Sequence, residues 1–355
     1  MKKNVCVLFG GISPEHAISL RSAQFVLSNL DPEKYDVFPV GITREGKWFL
    51  YGSRDFDCLP GGGWEDCAEN LPAAISPVRG EGLLVFTEDT VIKYPLDVVF
   101  PMLHGENGED GAMQGLLQLA GIPYVGPHVS ASAVAMDKTL TKLVVDQAGL
   151  PQAAWQLVRA VELKYHSQAV LDRLEGRFQY PMFVKPAGTG SSVGVSKAAD
   201  RAALEKALIH AAQYDSKVLV EEFICGREVE VAVLGNDTPV ASFCGEIDSG
   251  AEFYDYDAKY VTDTSVAYIP ARIDDEVGEQ VRDAAVKIYQ AIGCQGLSRV
   301  DFFVTYADNR VVFNEINTLP GFTSISMYPK LFEASGIGSM ELIDKLLDLA
   351  VEAAQ

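Results

Sequence analysis

Hydrophobic residues in the first third of the chain form short runs that alternate with stretches of helical spacing. Apolar runs at residues 4–9, 37–42 and 96–103 are typical of buried strands. Helical spacing follows the first of these runs and returns at residues 113–120, which are followed by Gly121. Because this alternation is typical of βαβ units, we expect an open parallel sheet. Residues 53–77 lack clear periodicity, and we expect an excursion on the surface there.

A turn and a helix start follow the first predicted strand. Gly10 and Gly11 suit a tight turn. Ser13 is a typical N-cap residue, and Pro14 is favoured at the first helical position. These residues predict a helix capped by Ser13, with Glu15 in its first turn. A carboxylate there would also complement the helix dipole, which is a purely structural use of Glu15.

The pattern changes after residue 126 and becomes a mixture of helices and antiparallel strands. From residue 217 onward, apolar and polar positions alternate, as they do in half-buried antiparallel strands. We predict these further elements: a helix at 130–148, strands at 181–185 and 192–197 joined by a glycine-rich hairpin, a helix at 275–292, a hairpin at 298–316 and a helix at 340–353. This region is therefore predicted to be α+β.

Composition and charge exclude several classes of protein. The chain has 355 residues, of which 48% are hydrophobic and 22% charged, as in globular enzymes of two or three domains. Against 49 acidic residues stand 29 Lys and Arg, and the net charge of −20 repels nucleic-acid backbones and anionic lipid surfaces. We therefore expect no nucleic-acid partner.

Cysteine and histidine usage argues against disulfides and zinc. The six cysteines include no C-x-x-C pair, and the five histidines do not cluster with them. Any metal ion should therefore be held by oxygen. No run of about 18 apolar residues occurs, and the apolar run near the N-terminus is too short for a signal sequence. We expect a cytoplasmic protein without membrane insertion.

Two paired strands carry the clearest candidate chemistry. Because strand side chains alternate, Arg299 and Asp301 share one face of their strand, and Glu315 and Asn317 share a face of the next. Asp, Glu and Asn offer the hard oxygen ligands that hold Mg²⁺ beside nucleotide phosphates. A solvated hairpin face would show the same alternation. The turn at residues 318–321, which places backbone amides beside these groups, favours a site.

A glycine-rich loop, an acidic segment and a helical lysine add weaker signals. Residues 185–194 lack the G-x-x-x-x-G-K-[ST] pattern, but a glycine-rich hairpin after Lys185 can fold its amides over phosphates. Alone, such a stretch is more often a simple turn. Residues 221–224 suit a segment that binds an adenine edge, or an acidic strand end. Lys138 lies inside a predicted helix, where a lone lysine is usually solvated.

The combination resembles the ATP-grasp fold and, over essentially the whole chain, the D-alanine:D-alanine ligase family. The resemblance is carried by the order and spacing of Lys138, Lys185 with its loop, residues 221–228, Arg299 with Asp301, and Glu315 with Asn317. Residues 10–16 (GGISPEH), 104–111 (HGENGEDG), 254–260 (YDYDAKY) and 319–326 (LPGFTSIS) resemble the family's substrate motifs. We therefore expect an α/β and α+β chain, an ATP-grasp fold preceded by an open, Rossmann-like parallel-sheet domain.

The resemblance implies three domains and an activity. Residues 1–126 would form an N-terminal α/β substrate-binding domain, residues 127–215 a central ATP-grasp subdomain, and residues 216–355 a C-terminal subdomain with the metal site. A covering loop at 248–268 would exclude water, because an exposed acyl phosphate hydrolyses. The implied reaction is ATP-dependent ligation of two D-alanine molecules through an acyl phosphate, for peptidoglycan precursors. The resemblance also implies a homodimer.

The same resemblance assigns roles to individual residues. The nucleotide and metal set is Asp301, Glu315 and Asn317 for two Mg²⁺ or Mn²⁺ ions; Lys138, Lys185 and Lys259 for phosphate oxygens; and Ser191, Ser192, Glu221, Glu222, Phe223, Ile224, Glu228 and Asn314 for the rest of ATP. In the substrate set, Glu15, supported by His104, would bind the ammonium of the first D-alanine, and Ser326 would bind the carboxylate of the second substrate. Ser191 and Tyr260 would link Glu15 to the covering loop. Arg299 and the Gly321 N–H would stabilise the oxyanion of the tetrahedral intermediate.

Two alternatives remain open at this point. An ATP-binding module of the same fold would keep the nucleotide residues without ligase turnover. A ligase of the glycopeptide-resistance type would join D-alanine to D-serine or D-lactate. Met327, which follows Ser326, is apolar and offers no hydrogen bond to a serine hydroxyl, so we expect D-alanine as the second substrate.

Overall fold

The computed structural model describes residues 2–248 and 266–355, which form three β-sheets. The first sheet has seven strands in the order β6-β5-β4-β3-β2-β1-β7. Its strands are β1 (Lys3–Gly10), β2 (Tyr35–Ile42), β3 (Trp48–Leu50), β4 (Leu71–Ile75), β5 (Leu83–Phe86), β6 (Val91–Tyr94) and β7 (Val98–Met102), and its helices are α1 (His16–Asn29) and α2 (Ala112–Ala120).

The strands β2, β1 and β7 are parallel, and the predicted parallel sheet is therefore confirmed. The strands β3 to β6 extend this sheet in antiparallel fashion. They have only three to five residues each, too few for their pattern to stand out in the sequence. The carboxyl ends of β1 and β7 lead into the loops that carry Glu15 and His104.

Residues 53–77 lie mostly at the surface, as we expected, but they are more ordered than their sequence pattern indicates. They contain two 3₁₀ helices and β4, and Trp64 in the second 3₁₀ helix is completely buried. Its ring packs edge-on against Phe9, with the centroids 5.1 Å apart. It also lies over Gly41 of β2, where a Cβ would come within 2.2 Å of the ring. A single tryptophan in a glycine-rich stretch gives no periodicity, so the sequence pattern could not reveal this packing.

The second sheet has four antiparallel strands in the order β10-β9-β11-β8. The elements of this region are α3 (Val129–Met136), α4 (Lys138–Gln147), β8 (Trp155–Arg159), α5 (Ala160–Glu175), β9 (Met182–Pro186), β10 (Ser196–Ala198), α6 (Arg201–Ala211) and β11 (Lys217–Glu222). Because β11 pairs with β8 and β9, the expected boundary at 215/216 would remove a central strand from its sheet. We therefore move the proposed boundary to residues 223–225.

The third sheet has five antiparallel strands in the order β14-β13-β12-β15-β16. Its elements are β12 (Gly226–Leu234), β13 (Val240–Asp248), β14 (Val266–Tyr268), α7 (Asp275–Ile292), β15 (Leu297–Thr305), β16 (Val311–Asn317), α8 (Met327–Ala334) and α9 (Ser339–Ala353). The predicted helix at 275–292 and the predicted hairpin are confirmed. In the part of the chain that the structure describes, no helix is long and apolar enough to span a membrane.

The predicted helix at 130–148 is wrong, because the chain breaks it at Asp137. The backbone there is extended, with φ −87° and ψ 100°, and the Asp137 carboxylate accepts hydrogen bonds from the N–H groups of Thr139 and Leu140. Asp137 therefore caps a second helix, α4. Lys138 becomes the first residue of α4 instead of lying in the middle of a solvated helix. Its backbone N–H donates to the carbonyl of Ala187, 2.9 Å away.

Candidate active site

A cavity of about 400 Å³ lies between the second and third sheets. Side chains from β9 and β11 face others from β12, β13, β15 and β16 across it. The structure brings these predicted nucleotide residues together in its lining: Lys138, Lys185, Ser191, Ser192, Glu221, Glu222, Phe223, Ile224, Glu228, Asn314 and Glu315. They come from sequence positions up to 177 residues apart.

The polar hairpin at one side of this cavity brings the predicted residues of its two strands opposite one another. Arg299 stands opposite Asn317, and Asp301 stands opposite Glu315. The Arg299 guanidinium donates two hydrogen bonds to the Asp301 carboxylate, at 2.7 and 2.8 Å. Asn317 donates a third to the same carboxylate, at 3.0 Å. The inference from strand alternation, that four polar groups converge here, is confirmed.

Glu230 completes this cluster and was not found from the sequence. It lies on β12 opposite Asp301, and its Oε2 is 3.0 Å from Nε of Arg299. Burial disfavours the charge of Arg299, but Asp301 and then Glu230 outweigh burial and raise the pKa of Arg299 well above its usual value. The guanidinium is therefore a fixed positive charge. The alternation of acids on β12 was visible, but its pairing with β15 was not.

Glu221 is buried between two lysines. Its Oε2 is 2.6 Å from Nζ of Lys185, and its Oε1 is 2.5 Å from Nζ of Lys142. Burial raises the pKa of Glu221, but Lys142 and Lys185 together outweigh burial and lower it to about 2. Lys185 also donates to the Asn314 side chain at 3.4 Å. Sequence reasoning missed Lys142, because a lysine four positions after Lys138 looks like an ordinary helix residue.

The segment after Glu221 forms one wall of the cavity. Glu222 accepts a hydrogen bond from the N–H of Ala154 at 2.8 Å, which ties the end of β11 to the residue before β8. Phe223 stacks on Phe183, with centroids 6.0 Å apart and ring planes 24° apart. The ammonium of Lys197 lies 4.8 Å from the centroid of Phe223. A flat aromatic surface with a nearby cation suits a planar base.

The glycine-rich loop joins β9 to β10 and is longer than predicted. The strand expected at 192–197 begins only at Ser196. Ser191 and Ser192 both have positive φ, 47° and 58°, a conformation that non-glycine residues rarely adopt. The ammonium of Lys138 donates to the carbonyl of Thr189 at 2.6 Å, so the first residue of α4 is hydrogen-bonded to the loop.

Glu15 links the first sheet to this loop. It is the N-cap of α1, which begins at His16, and the predicted cap Ser13 instead accepts a hydrogen bond from the Glu15 N–H at 3.1 Å. The expectation that Ser13 caps the helix is therefore wrong by two positions. The hydroxyl of Ser191 donates to the Glu15 carboxylate. A Cβ at Gly105 would lie 2.4 Å from that carboxylate, so the loop approaches Glu15 closely only because residue 105 is glycine.

His104 connects the first sheet to the loop that follows β16. Its Nδ1 is 2.9 Å from the carbonyl oxygen of Leu319, and its Nε2 is 2.9 Å from the Ser22 hydroxyl. Because a carbonyl only accepts, Nδ1 carries the proton, and the Ser22 hydroxyl donates to Nε2. Ser22 accepts in turn from the N–H of Phe322 at 3.2 Å. Burial lowers the pKa of His104, although Glu15 acts in the opposite direction, and this shift favours the neutral ring.

Glu109 is a second site residue that sequence reasoning missed. Its two carboxyl oxygens accept hydrogen bonds from the N–H groups of Gly105 at 2.8 Å and Leu319 at 2.9 Å. Burial, followed by the negative charge of Glu15, raises the pKa of Glu109 to about 8. The motif at residues 104–111 contained this acid, but nothing in its spacing separated it from Glu106.

The loop at residues 319–326 leads into α8. Ser326 is the N-cap position of α8, and its hydroxyl accepts a hydrogen bond from the N–H of Thr323 at 3.1 Å. A Cβ at Gly321 would lie 3.0 Å from the Ser326 hydroxyl oxygen, so these two residues are adjacent in space. Met327 is placed differently from our expectation: it is buried, and its methyl carbon lies over Gly245 of β13. This position does not support direct contact between Met327 and a second substrate.

Lys259 and Tyr260, which we expected at the covering loop, lie outside the described residues. The ends of that loop are described: Asp248 pairs with Val266 in the third sheet. Arg272 donates to the Glu246 carboxylate at 2.6 Å and to the Asp248 carboxylate at 2.8 Å. The base of the loop is therefore fixed by strand pairing and by an ion-pair network, and residues 266–268 belong to β14 instead of to the loop.

Comparisons with known proteins identify the family of this chain. Two family models match, described as D-ala D-ala ligase N-terminus at residues 4–127 and D-ala D-ala ligase C-terminus at residues 144–348. The D-alanine–D-alanine ligase of Acetivibrio thermocellus is 52% identical over 366 residues, covering 99% of this chain and 96% of the relative. That of Caldicellulosiruptor bescii is 49% identical, with the same coverage of 99% and 96%. The chain belongs to the D-alanine–D-alanine ligase family.

Solved structures in this family share the fold. The VanG D-Ala:D-Ser ligase from Enterococcus faecalis gives a TM-score of 0.89 at 39% identity, covering 99% of this chain and 100% of that one. The D-alanine-D-alanine ligase from Coxiella burnetii gives a TM-score of 0.85 at 36% identity, with 100% and 95% covered. The predicted family and fold class are confirmed.

Proposed function

We propose that this D-alanine–D-alanine ligase family member joins two molecules of D-alanine, using ATP, to supply D-alanyl-D-alanine for peptidoglycan precursors. One observation carries the proposal: Glu15 of the first sheet region meets Ser191 of the glycine-rich loop, beside a cavity that also holds Lys185 and Glu315. The proposed amino-acid site and the proposed phosphate site would therefore be contiguous, as phosphoryl transfer to an amino-acid carboxylate requires.

The cavity suits ATP along its whole length. Phe223 offers a flat surface for the adenine at one end. Lys138 and Lys185 line the other part, where ammonium groups would bind phosphate oxygens, and the backbone of residues 188–192 would fold over them. The lysines, the loop and the aromatic wall belong to one continuous lining, which supports a nucleoside triphosphate as the ligand.

The hairpin residues fit a divalent metal ion. Asp301 is paired with Arg299 and oriented by Asn317, and Glu315 stands opposite it. The proposed donors are two carboxylates and one amide; within residues 2–248 and 266–355, no group of three or more His, Cys, Asp or Glu side chains could hold a metal. Such a hard set, completed by phosphate oxygens, suits Mg²⁺ or Mn²⁺. Two bound ions would neutralise the charge of the transferred phosphate.

The proposed reaction has two steps. In the first, a carboxylate oxygen of D-alanine forms a bond to the γ-phosphorus of ATP, the bond to the bridging oxygen breaks, and ADP leaves. In the second, the amine of another D-alanine attacks the acyl phosphate carbonyl, loses a proton and expels phosphate. Arg299 carries a fixed charge that stabilises the negative oxygen of the tetrahedral intermediate.

The Gly321 amide is the proposed second donor to that oxygen. Within the described ranges, the N–H groups of Leu319, Phe322 and Thr323 all donate to side chains, whereas the Gly321 N–H donates to no protein group. An amide held by its neighbours but itself available is preorganised for a ligand. One donor of this kind is typically worth roughly 10²–10³ in rate.

Glu15 and Ser326 are the proposed contacts to the two amino acids. The Glu15 carboxylate would bind the ammonium of the first D-alanine, next to the hydroxyl of Ser191. Ser326 stands at the N-terminus of α8, where a hydroxyl and backbone amides suit the carboxylate of the second D-alanine. His104 joins the two regions, because it follows β7 in the first sheet and contacts the loop that leads to Ser326. This connection agrees with two adjacent subsites.

An isotope experiment tests the proposed chemistry. D-alanine labelled with ¹⁸O in its carboxylate should transfer one labelled oxygen to the inorganic phosphate released from ATP, because the carboxylate oxygen becomes the bridge of the acyl phosphate. Phosphate without label, released only when D-alanine is present, would show that water attacks ATP. Phosphate release that does not depend on D-alanine would favour a nucleotide-binding module.

A second candidate, ligation of D-alanine to D-serine, is favoured by one comparison, the VanG D-Ala:D-Ser ligase structure. The curated relatives of 52% and 49% identity carry the D-alanine–D-alanine ligase name and favour the main proposal.

We also propose a homodimer, which light scattering in solution would test. Location in the cytoplasm stays a prediction.

A further inference from the structure

Lys142 is a buried cation that the proposed reaction does not use. Its side chain on α4 is 2% exposed, and its Nζ contacts Oε1 of Glu221 at 2.5 Å and Oε1 of Gln152 at 3.4 Å. Burying an ammonium is strongly unfavourable unless it is paired and hydrogen-bonded. A leucine or methionine at this position would avoid that penalty. The presence of the charge therefore requires a reason in the function of Glu221.

Glu221 has two cationic partners, although one would neutralise it. The two partners differ in access: Lys185 is 15% exposed and lines the cavity, whereas Lys142 does not line it. A ligand in the cavity can therefore reach the ammonium of Lys185 but not that of Lys142. The cluster thus contains one buried carboxylate, one inaccessible cation and one cation that faces the proposed phosphates.

We propose that Lys142 is a positioning residue of the nucleotide site, which keeps Glu221 paired when Lys185 turns its ammonium from Glu221 to a phosphate oxygen. The inference rests on the proposed function, because it requires a phosphorylated ligand in the cavity. Lys142 acts through Glu221 and Lys185 and does not touch the nucleotide itself.

The physical reason lies in the charge of Glu221 before and after binding. With Lys185 as its single partner, Glu221 would become a buried, unpaired carboxylate each time phosphate drew Lys185 away, and such a state is strongly disfavoured. With Lys142 in place, the carboxylate keeps one ion pair at 2.5 Å in both states. Lys142 therefore removes a free-energy penalty that would otherwise weaken phosphate binding.

Replacement of Lys142 by methionine tests this role with two ligands. In Lys142→Met, titration calorimetry should show ATP with Mg²⁺ bound about tenfold or more weakly than in the wild type. Binding of adenosine should change by less than about twofold, because a ligand without phosphate does not draw Lys185 away. The KM for ATP should rise while kcat at saturating ATP changes little. If the ion pair were merely structural, its loss would weaken the binding of both ligands or of neither, and either result would overturn the proposal.

A second pair of variants shows whether the effect passes through Glu221. In a Glu221→Gln background no buried carboxylate remains to be stranded, so adding Lys142→Met should change ATP affinity by less than about threefold. An undiminished effect in that background would refute the inference. Should the methionine variant not fold, Lys142→Gln, which keeps a donor for Glu221 without charge, replaces it with the same expected direction. A wild type that does not bind ATP would refute the proposed function itself, whereas equal ATP binding by wild type and variant refutes this inference alone.

Discussion

The carboxyl group of Glu109 accepts a hydrogen bond from the backbone N–H of Leu319, 2.9 Å away and 210 positions later in the chain. The imidazole of His104 donates to the carbonyl of the same Leu319, also at 2.9 Å. Both backbone groups of one residue are therefore held by a single segment of the first sheet region. This arrangement fixes the loop that carries Gly321 relative to Glu15, and so relates the proposed oxyanion donor to the proposed first substrate.

The first prediction concerns the pH dependence of stability and Glu109. Its pKa rises from 4.5 to about 8 in the folded protein, so the folded state retains a proton that the unfolded chain loses near pH 4.5. The stability that this proton contributes is complete below pH 4.5 and is lost as pH rises through about 8. Urea unfolding at several pH values should therefore show stability falling over this interval, and Glu109→Gln should flatten the fall.

The control for this experiment is Glu106→Gln, which changes an exposed acid in the same segment. It should leave the pH slope as in the wild type. If Glu109→Gln also leaves the slope unchanged, the raised pKa of Glu109 is not a property of the folded protein.

The second prediction concerns the proposed metal site. Glu315→Ala should lower turnover by about 100-fold or more and weaken binding of ATP in the presence of Mg²⁺, because it removes the carboxylate opposite Asp301. A change at Asp301 should be less severe. Asp308→Ala, in the exposed turn of the same hairpin, is the matched control and should retain normal turnover. Near-normal activity of Glu315→Ala at ordinary Mg²⁺ concentration would rule out this site.

The third prediction concerns the link between Glu15 and the glycine-rich loop. Ser191→Ala removes the hydroxyl that donates to the Glu15 carboxylate, with no loss of core packing. We expect the KM for D-alanine to rise and more ATP to be hydrolysed per dipeptide formed, because the site closes less tightly. Tyr260→Phe should have the same signature if Tyr260 belongs to this link. Unchanged coupling of ATP use to product in both variants would contradict a role in closure.

The fourth prediction uses a natural probe of the nucleotide cavity. Cys225 is exposed and lies in the cavity lining directly after Ile224. Iodoacetamide should therefore alkylate Cys225, and ATP with Mg²⁺ should slow this reaction several-fold by occupying the cavity. Cys58 and Cys67, which belong to the first sheet region, provide the internal control in the same mass spectrum. Equal protection of all three thiols, or of none, would argue against ATP at this cavity.

The sequence predicts those parts of the site whose residues contact each other within a short stretch of the chain. Strand alternation was enough to place Arg299 with Asp301 and Glu315 with Asn317, because the two strands form a local hairpin. Resemblance to the family supplied the longer-range partners, such as Glu15 with Ser191. A contact is therefore predictable when it is short in range along the chain or when a family resemblance implies the fold that creates it.

The residues that sequence reasoning missed act only through tertiary contacts. The sequence around Lys142 looks like that of any helix, and its burial follows from the packing of α4 against Glu221. Glu109 and Glu230 are ordinary acids until the chain brings Leu319 and Arg299 to them. Two fold details were missed as well. Trp64 is buried by Phe9 and Gly41, which are distant in the chain. The helix break at Asp137 has a local cap, but the next residue, Lys138, donates its N–H to the distant carbonyl of Ala187.

The measurement that tests the central claim most directly is product identification in a competition. The wild-type protein is incubated with ATP, Mg²⁺ and equal concentrations of D-alanine and D-serine, and the dipeptides are separated and quantified by mass spectrometry. We expect D-alanyl-D-alanine as the main product, with one ADP and one phosphate released for each dipeptide. A predominance of D-alanyl-D-serine, or release of phosphate without any dipeptide, would contradict the claim that this protein ligates two molecules of D-alanine.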